Sequence, residues 1–449
     1  MTLVRRLVLC LALVSLAACG GGSGGGSNKV KTPTTFGKFR LINALVDSPP
    51  LTVKLGTVVQ GTVSFSQSTK LLTEGATNYQ LNVQYTTPGG TVKTVVDNRA
   101  LTIAVNEQIT FVLLGTLASV SVVELDENAP DIAAGDSEVR FVQSVAGGSY
   151  DFYLTGAGVD ITTVGPTATV NALVVSDSMT VPSGANQRLR VTAAGDKTVL
   201  YDSGAFTLDD QARRLFLLGD YFGPGGDGVR AVEIDDHSAT TFLAEDLPAA
   251  LSIANEVVDL AGLDGYLHGI AGSPDFANVA LDAISAAQTI PIGNTDVALT
   301  TAGTPGHVVV PDASFVLGTG ETQTLVVAGV DSAGNVTTRP VTTPVRPIAG
   351  VAQVRVIDAS PAAPAVDFFA VATGALPAAG KAQLTLLVLQ ASGVALLDPG
   401  SYDLYFTTGG TTSVVTGPQP ITVAAGGIYS VLLADQAGGG SPVRIVVAD

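Results

Sequence analysis

The chain has 449 residues, more than the roughly 100 to 150 of a usual single domain, so several modules are expected. Hydrophobic residues make up 46% of it and charged residues only 14%, which argues against a disordered chain or a coiled coil. The formal net charge of −17 repels a phosphate backbone, so no nucleic-acid partner is expected.

The N-terminal residues have the order of a bacterial export signal. Arg5 and Arg6 precede an apolar run over residues 7–14, which is too short to span a bilayer. The run ends in Leu16-Ala17-Ala18-Cys19, which resembles the processing box of bacterial lipoproteins. This resemblance implies that residues 1–18 are a lipoprotein signal peptide and that acylated Cys19 binds the protein to membrane lipid.

The residue after Cys19 suggests the final location. It is Gly20 and not Asp, which by the same resemblance implies an outer-membrane lipoprotein of the cell envelope, periplasmic or surface-exposed. Residues 19–38 are rich in Gly and Ser, so this segment is expected to be a flexible tether.

A block of fifteen residues that reads strand, polar turn, strand recurs four times. The copies begin at Leu101, Phe206, Phe315 and Ile421, and a Thr-x-x-Gly turn precedes each of them. Alternating apolar residues, interrupted by Gly, Pro, Asn and Asp, predict short antiparallel strands. The predicted fold class is therefore all-β, with four tandem Ig-like antiparallel β-sandwiches of roughly seven strands each.

The four sandwiches are expected to be separated by segments rich in Pro, Ala and Gly. A longer connector, residues 237–264, precedes repeat 3, and its segment 247–258 is compatible with a short helix. The predicted repeats 1 to 4 span residues 39–127, 138–236, 265–341 and 352–449.

The second position of each opening strand is basic. A solvated strand position or an ion pair is the favoured interpretation, in preference to a recognition patch. The residues of this column are Arg40, Arg140, His268 and Arg355.

Residues 354–367 read Val-Arg-Val-Ile-Asp-Ala-Ser-Pro-Ala-Ala-Pro-Ala-Val-Asp. This segment resembles the bacterial family called domain of unknown function 4397, whose repeats open with a strand, His-Ala-Ser-Pro-Asp-Ala-Pro, Val-Asp and a second strand. The resemblance implies tandem β-sandwiches on exported, often membrane-anchored proteins, and it implies no activity. The Ser-Pro-x-x-Pro part is interpreted as a fixed turn. The family's histidine is replaced in all four repeats, by Asn43, Gln143, Ala271 and Asp358.

No catalytic, cofactor or metal site is predicted. The three histidines lack metal-ligand spacing, and beyond the Gly/Ser-rich tether the sequence has neither a Gly-x-Ser-x-Gly elbow nor a phosphate-binding loop. Residues 201–260 contain twelve Asp and Glu against three Arg. This stretch is either a calcium site on turns or a solvated acidic edge, and the solvated edge is preferred.

These observations favour a lipid-anchored cell-envelope protein that is not an enzyme. Its tandem sandwiches are expected to form a stalk or an interaction module, with an envelope or extracellular protein or a glycan as partner. One alternative is a binding protein for an extracellular glycan or cation, with the ligand at module junctions. A second alternative is an envelope hydrolase whose catalytic residues follow no known motif.

Overall fold

The computed structural model describes residues 35–128, 131–226, 228–389 and 391–448. The predicted signal peptide, Cys19 and most of the tether lie outside the described residues. The regular structure of the described residues consists of strands and two short 3-10 turns, Ile161–Thr163 and Asp331–Ala333. These strands form eight sheets, two in each repeat, which confirms the prediction of tandem β-sandwiches. No helix in the described part of the chain is long and apolar enough to cross a membrane.

The strands are numbered in chain order. Repeat 1 contains β1 (Phe36–Leu45), β2 (Leu51–Leu55), β3 (Val58–Val63), β4 (Gln67–Ser68), β5 (Leu72–Gly75), β6 (Asn78–Thr86), β7 (Val92–Thr102), β8 (Gln108–Thr116) and β9 (Ser119–Asp126). Repeat 2 contains β10 (Asp136–Gln143), β11 (Ser149–Gly156), β12 (Ala168–Asn171), β13 (Val174–Val175), β14 (Met179–Pro182), β15 (Gly184–Ala193), β16 (Val199–Leu208), β17 (Arg213–Asp220), β18 (Val229–Ile234) and β19 (Ala239–Phe242). Repeat 3 contains β20 (Ala249–Val257), β21 (Gly262–Tyr266), β22 (Phe276–Ala280), β23 (Gln288–Ile290), β24 (Gly293–Thr301), β25 (Thr304–Leu317), β26 (Thr322–Gly329) and β27 (Thr337–Thr342). Repeat 4 contains β28 (Ala352–Asp358), β29 (Val366–Ala372), β30 (Leu384–Leu387), β31 (Ser392–Leu397), β32 (Gly400–Thr408), β33 (Val414–Val423), β34 (Ile428–Ala434) and β35 (Arg444–Ala448).

All four repeats share one two-sheet plan. The first sheet contains the opening strand and the last two long strands, in the orders β1-β8-β9, β10-β17-β18, β20-β26-β27 and β28-β34-β35. In each repeat, the opening strand is parallel to the second strand of that order. The other strand pairs are antiparallel. The second sheet is antiparallel, as in β3-β2-β6-β7. Each repeat therefore encloses its own apolar core between two sheets.

The start of repeat 3 differs from the sequence prediction. Residues 249–257 form β20, which is buried at all nine positions and pairs in parallel with β26, so the helix expected over 247–258 is wrong. The expected connector 237–264 also contains β19 and the start of β21, and repeat 3 begins at Ala249 and not at residue 265. Both faces of β20 are covered, which removes the two-residue alternation that reveals a strand in sequence.

Because repeat 3 begins at β20, two residues assigned to its opening strand from the sequence are replaced by others. His268 lies on an exposed bend after β21 and not on an opening strand. By register, Ser252 in β20 corresponds to Arg40 in β1, because these residues pair with Thr324 and Thr110 of the equivalent neighbouring strands. The same register places Asn255, and not Ala271, where the family's histidine is expected.

Two further apolar cores join the repeats in pairs, through the outer faces of the first sheets. The core between repeats 1 and 2 is formed by Ile42, Ala44, Val112, Leu114, Leu125, Val142, Leu215, Leu217, Val232 and Ile234. The core between repeats 3 and 4 is formed by Ala254, Val326, Ala328, Val341, Ile357, Ala359, Leu432, Ala434, Val446 and Ala448. The opening strands are therefore buried on both faces, and not half-buried as the alternation predicts.

Candidate functional site

In the described part of the chain, buried charged and polar side chains are concentrated at the junctions of the repeats. Arg40 in β1 is 1% exposed, and its Nη2 lies 2.7 Å from Oε1 of Glu127. Its Nε donates to Oγ1 of Thr110 at 2.7 Å, and its Nη1 donates to the carbonyl of Asp235 in repeat 2 at 2.7 Å. The ion pair expected for the basic column is present at Arg40, but it is buried, and the same guanidinium also links repeat 1 to repeat 2 through Asp235.

Arg355 makes the corresponding connection between repeats 4 and 3 without an acidic partner. It donates to Oγ1 of Thr324 at 2.8 Å and of Thr343 at 2.6 Å, and to Oγ of Ser430 at 2.9 Å. Burial in this neutral setting lowers the pKa of Arg355 to about 10. Arg140, which is half-buried, reaches back to the carbonyl of Asp126 at 3.2 Å. The three arginines of the column therefore each contact the neighbouring repeat.

The residue at the position of the family's histidine stabilises the bend after the opening strand through hydrogen bonds of its side chain. The side chain of Asn43 accepts from the Leu45 amide at 3.1 Å, and that of Asn255 accepts from the Val257 amide at 3.0 Å. Their amide groups donate to Oγ of Ser48 and to the carbonyl of Val279, each at 2.9 Å. This position is therefore structural in repeats 1 and 3.

Asp358 occupies the same position in repeat 4. Its Oδ1 accepts from the Ser360 amide at 3.0 Å, but its buried Oδ2 has no hydrogen-bond partner among the described residues. Burial and the nearby carboxylate of Asp435 raise the pKa of Asp358 to about 7. The expected turn over the Ser-Pro-x-x-Pro segment is confirmed here, since Oγ of Ser360 accepts from the Ala363 amide at 3.0 Å and donates to Asp435.

Sequence reasoning missed the role of the aspartate in the Val-Asp part of the repeat. Oδ2 of this residue accepts from the glycine amide of the Thr-x-x-Gly turn at 2.8 Å in three repeats. The signal was the recurrence of an Asp about forty residues before each such glycine. The three pairs are Asp151 with Gly195, Asp264 with Gly303, and Asp367 with Gly410.

Repeat 1 lacks this aspartate, because residues 49–52 read Pro-Pro-Leu-Thr. Its Gly89 amide instead donates to Oδ2 of Asp398 in repeat 4 at 2.9 Å. A cleft of about 460 Å³ lies beside this contact, with Tyr85 and Tyr402 in its walls. The Tyr402 hydroxyl donates to the Asp398 carbonyl at 2.8 Å. Burial, with the carboxylates of Asp47 and Asp398 nearby, raises the pKa of Tyr85.

The acidic stretch 201–260 is divided among separate contacts. Asp202 forms a salt bridge with Arg188, and Glu233 forms one with Arg214. Asp235 accepts hydrogen bonds from the amides of His237 and Ser238. Asp227 lies outside the described residues. No three His, Cys, Asp or Glu side chains within the described ranges come together as metal ligands. The preference for a solvated acidic edge over a calcium site stays a prediction.

Comparison with known proteins gives a family match and matches to solved structures. The sequence model of the family Domain of unknown function (DUF4397) matches residues 37–153 and 249–369, more than half of the chain. The second match starts at the first residue of β20. No curated protein matches the chain. The solved structure titled "The Bacillus anthracis TIE protein" aligns with 11% identity over 90% of this chain and 69% of that chain, with a TM-score of 0.15.

Proposed function

The chain belongs to the family Domain of unknown function (DUF4397), and we propose that it is a lipid-anchored cell-envelope protein, not an enzyme, that acts as a stalk or interaction module. The observation that carries this proposal is the pair of apolar cores shared by neighbouring repeats. Domains within one chain move relative to each other unless a large hydrophobic interface joins them. Repeats 1 and 2, and repeats 3 and 4, are therefore expected to behave as rigid pairs that hold their outer surfaces in fixed positions.

The use of buried polar groups supports a mechanical role. In an enzyme, some of the buried polar side chains that recur in the repeats are expected to face a cleft, with a nucleophile or an acid-base partner beside them. Here Arg40 and Arg355 join repeats to one another, and Asp151, Asp264 and Asp367 hold turns. These side chains therefore stabilise the turns and the junctions between repeats.

The proposed anchor is the acylated Cys19 of an outer-membrane lipoprotein. About sixteen residues separate it from the first strand, and at ~5–6 Å × √n a Gly/Ser-rich segment of that length reaches about 20 Å or slightly more. The two pairs of repeats on such a tether would stand clear of the lipid headgroups. A protein or glycan of the envelope or of the exterior would then be its partner.

The test compares Cys19→Ser with Cys10→Ser, because Cys10 lies inside the predicted signal peptide and is lost on cleavage. Labelling with a fatty-acid analogue in cells is expected to mark the parent chain and Cys10→Ser, but not Cys19→Ser. Persistent label on Cys19→Ser would refute the anchor. Proximity labelling in the same cells identifies neighbours, and a turnover that one polar substitution abolishes would refute the assignment as a non-enzyme.

The cleft beside Asp398 favours a second candidate function, the binding of a neutral glycan between repeats 1 and 4. The two tyrosine rings and the Asp398 carboxylate in its lining combine the apolar face and the hydrogen-bond acceptor that sugars need. The test is dose-dependent thermal stabilisation by a panel of oligosaccharides. Tyr85→Leu should abolish the stabilisation, whereas Tyr79→Leu, which alters a tyrosine of the same sheet outside this cleft, should preserve it.

A further inference from the structure

A second cleft, of about 430 Å³, lies where repeats 1, 2 and 3 meet. Phe65 from the turn after β3 forms one wall, and Tyr221 and Arg230 contribute from the two sides of the turn that joins β17 and β18. Glu321 comes from repeat 3, and Arg346 comes from the segment between β27 and β28. The volume falls in the range of small-molecule sites, and the site exists only when the repeats are assembled.

Two arginines in this cleft contact one aromatic ring. The Cζ atom of Arg230 lies 5.1 Å from the centroid of the Phe65 ring, and that of Arg346 lies 5.0 Å from it. Both distances are typical of cation–π contacts, which hold a guanidinium against the ring while leaving its N–H groups free to bond. The ring therefore holds two guanidiniums that line the same cleft.

Neither arginine is neutralised by a salt bridge with a described residue, although the chain carries 39 Asp and Glu against 22 Lys and Arg. The acids near Arg230 and Arg346 are Asp220 and Asp47, which attract them from beyond salt-bridge distance. Glu321 faces the cleft, but its Oε2 accepts from the Gly318 amide and from Gln323, at 2.8 and 2.9 Å.

Most of the hydrogen-bond donors of the two guanidiniums are unused. Arg346 donates once, from Nη1 to the Val46 carbonyl at 3.0 Å. Arg230 makes no hydrogen bond with the described residues, and its Nε is buried without an acceptor. Burial lowers the pKa of both groups, and the charge of Arg230 lowers that of Arg346 further. An anion bound to both guanidiniums in this cleft would relieve the desolvation, the repulsion and the missing hydrogen bonds together.

We infer that this cleft is an anion site that binds a small organic carboxylate, with the carboxylate held by Arg230 and Arg346 and its apolar body against Tyr221 and the other apolar side chains of the lining. A guanidinium fork matches the two oxygens of a carboxylate. The remaining lining includes Phe222, Leu243 and Val345, which suit an apolar or ring-shaped body better than a fully hydrated inorganic ion. This site does not depend on the lipid anchor or on the proposed partner.

The test is the melting temperature of the full chain with benzoate, glucuronate, inorganic phosphate or neutral benzamide, at constant ionic strength. A ligand that binds only the folded state raises the midpoint in a dose-dependent manner. Benzoate or glucuronate is expected to raise it, and benzamide is expected to have no effect. No shift with either carboxylate, an equal shift with benzamide, or a larger shift with phosphate would overturn the inference.

Arg346→Gln and Arg230→Gln are expected to weaken the carboxylate affinity at least tenfold. Arg99→Gln is the matched control, because Arg99 also lies over a ring, that of Phe111 at 5.3 Å, but outside this cleft. Unchanged affinity in both cleft variants would refute the site. If these variants fail to fold, calorimetric titration of the unmutated chain decides: benzoate should bind with an affinity that falls as NaCl rises, and absence of binding heat refutes the proposal.

Discussion

Replacing Glu127 by Gln should destabilise the pair formed by repeats 1 and 2. Glu127 is 4% exposed and lies 2.7 Å from Arg40, which is 1% exposed. Removing one partner of a buried ion pair leaves an uncompensated charge and costs about 3–5 kcal/mol. Asp236 lies 3.8 Å from Arg40 and remains in place, so the lower end, about 3 kcal/mol, is expected. In a cooperative unit of about two hundred residues this lowers the melting temperature by roughly 6–12 °C.

Differential scanning calorimetry of the full chain measures this effect, with Glu124→Gln as the control. Glu124 lies three residues away and also pairs with an arginine, Arg99 at 3.3 Å, but the two side chains are 45% and 37% exposed. An exposed pair contributes at most about 1 kcal/mol, so the control should melt within a few degrees of the parent. Equal melting temperatures for the two variants would show that the buried pair does not stabilise the junction.

Three further predictions concern pH, the pairing of repeats and calcium. The pKa of Glu256 is raised to about 8 and that of Asp358 to about 7, so the folded chain retains protons that the unfolded chain releases, and stability should fall as pH rises from roughly 4 to 8. Glu256→Gln should flatten the dependence of the melting temperature on pH. Asp358→Asn introduces the amide seen in repeats 1 and 3 and should raise the free energy of unfolding by about 1 kcal/mol at pH 8. An unchanged pH profile in both variants would contradict this prediction. A fragment of residues 249–448 should melt well above one of residues 352–448, because the shorter fragment exposes the apolar face that repeat 3 covers; equal stability by circular dichroism would argue against rigid pairs. Calcium should shift the melting temperature no more than sodium at matched ionic strength, and a calcium-specific shift that Asp235→Asn removes would reveal a site in the acidic stretch.

The sequence was sufficient for features that depend on local pattern. Glycine and proline positions, the fifteen-residue block and the Thr-x-x-Gly turns predict four β-sandwiches, because turn formation and strand alternation involve residues close together in the chain. The turn at Ser360 is confirmed for the same reason. The alternation of apolar and polar residues did not predict β20, because a strand that is covered on both faces has no polar face.

Only the tertiary structure decided which faces the repeats share and what collects at their junctions. The basic column of Arg40, Arg140 and Arg355 was recognisable in the sequence, but its contacts with the neighbouring repeat depend on how two sheets pack. The cleft that holds Arg230 and Arg346 brings together segments of three repeats that lie far apart in the chain. Burial, loss of charge partners and the raised pKa of Asp358 are properties of this assembled environment, because desolvation is produced by groups that are distant in sequence and close in space.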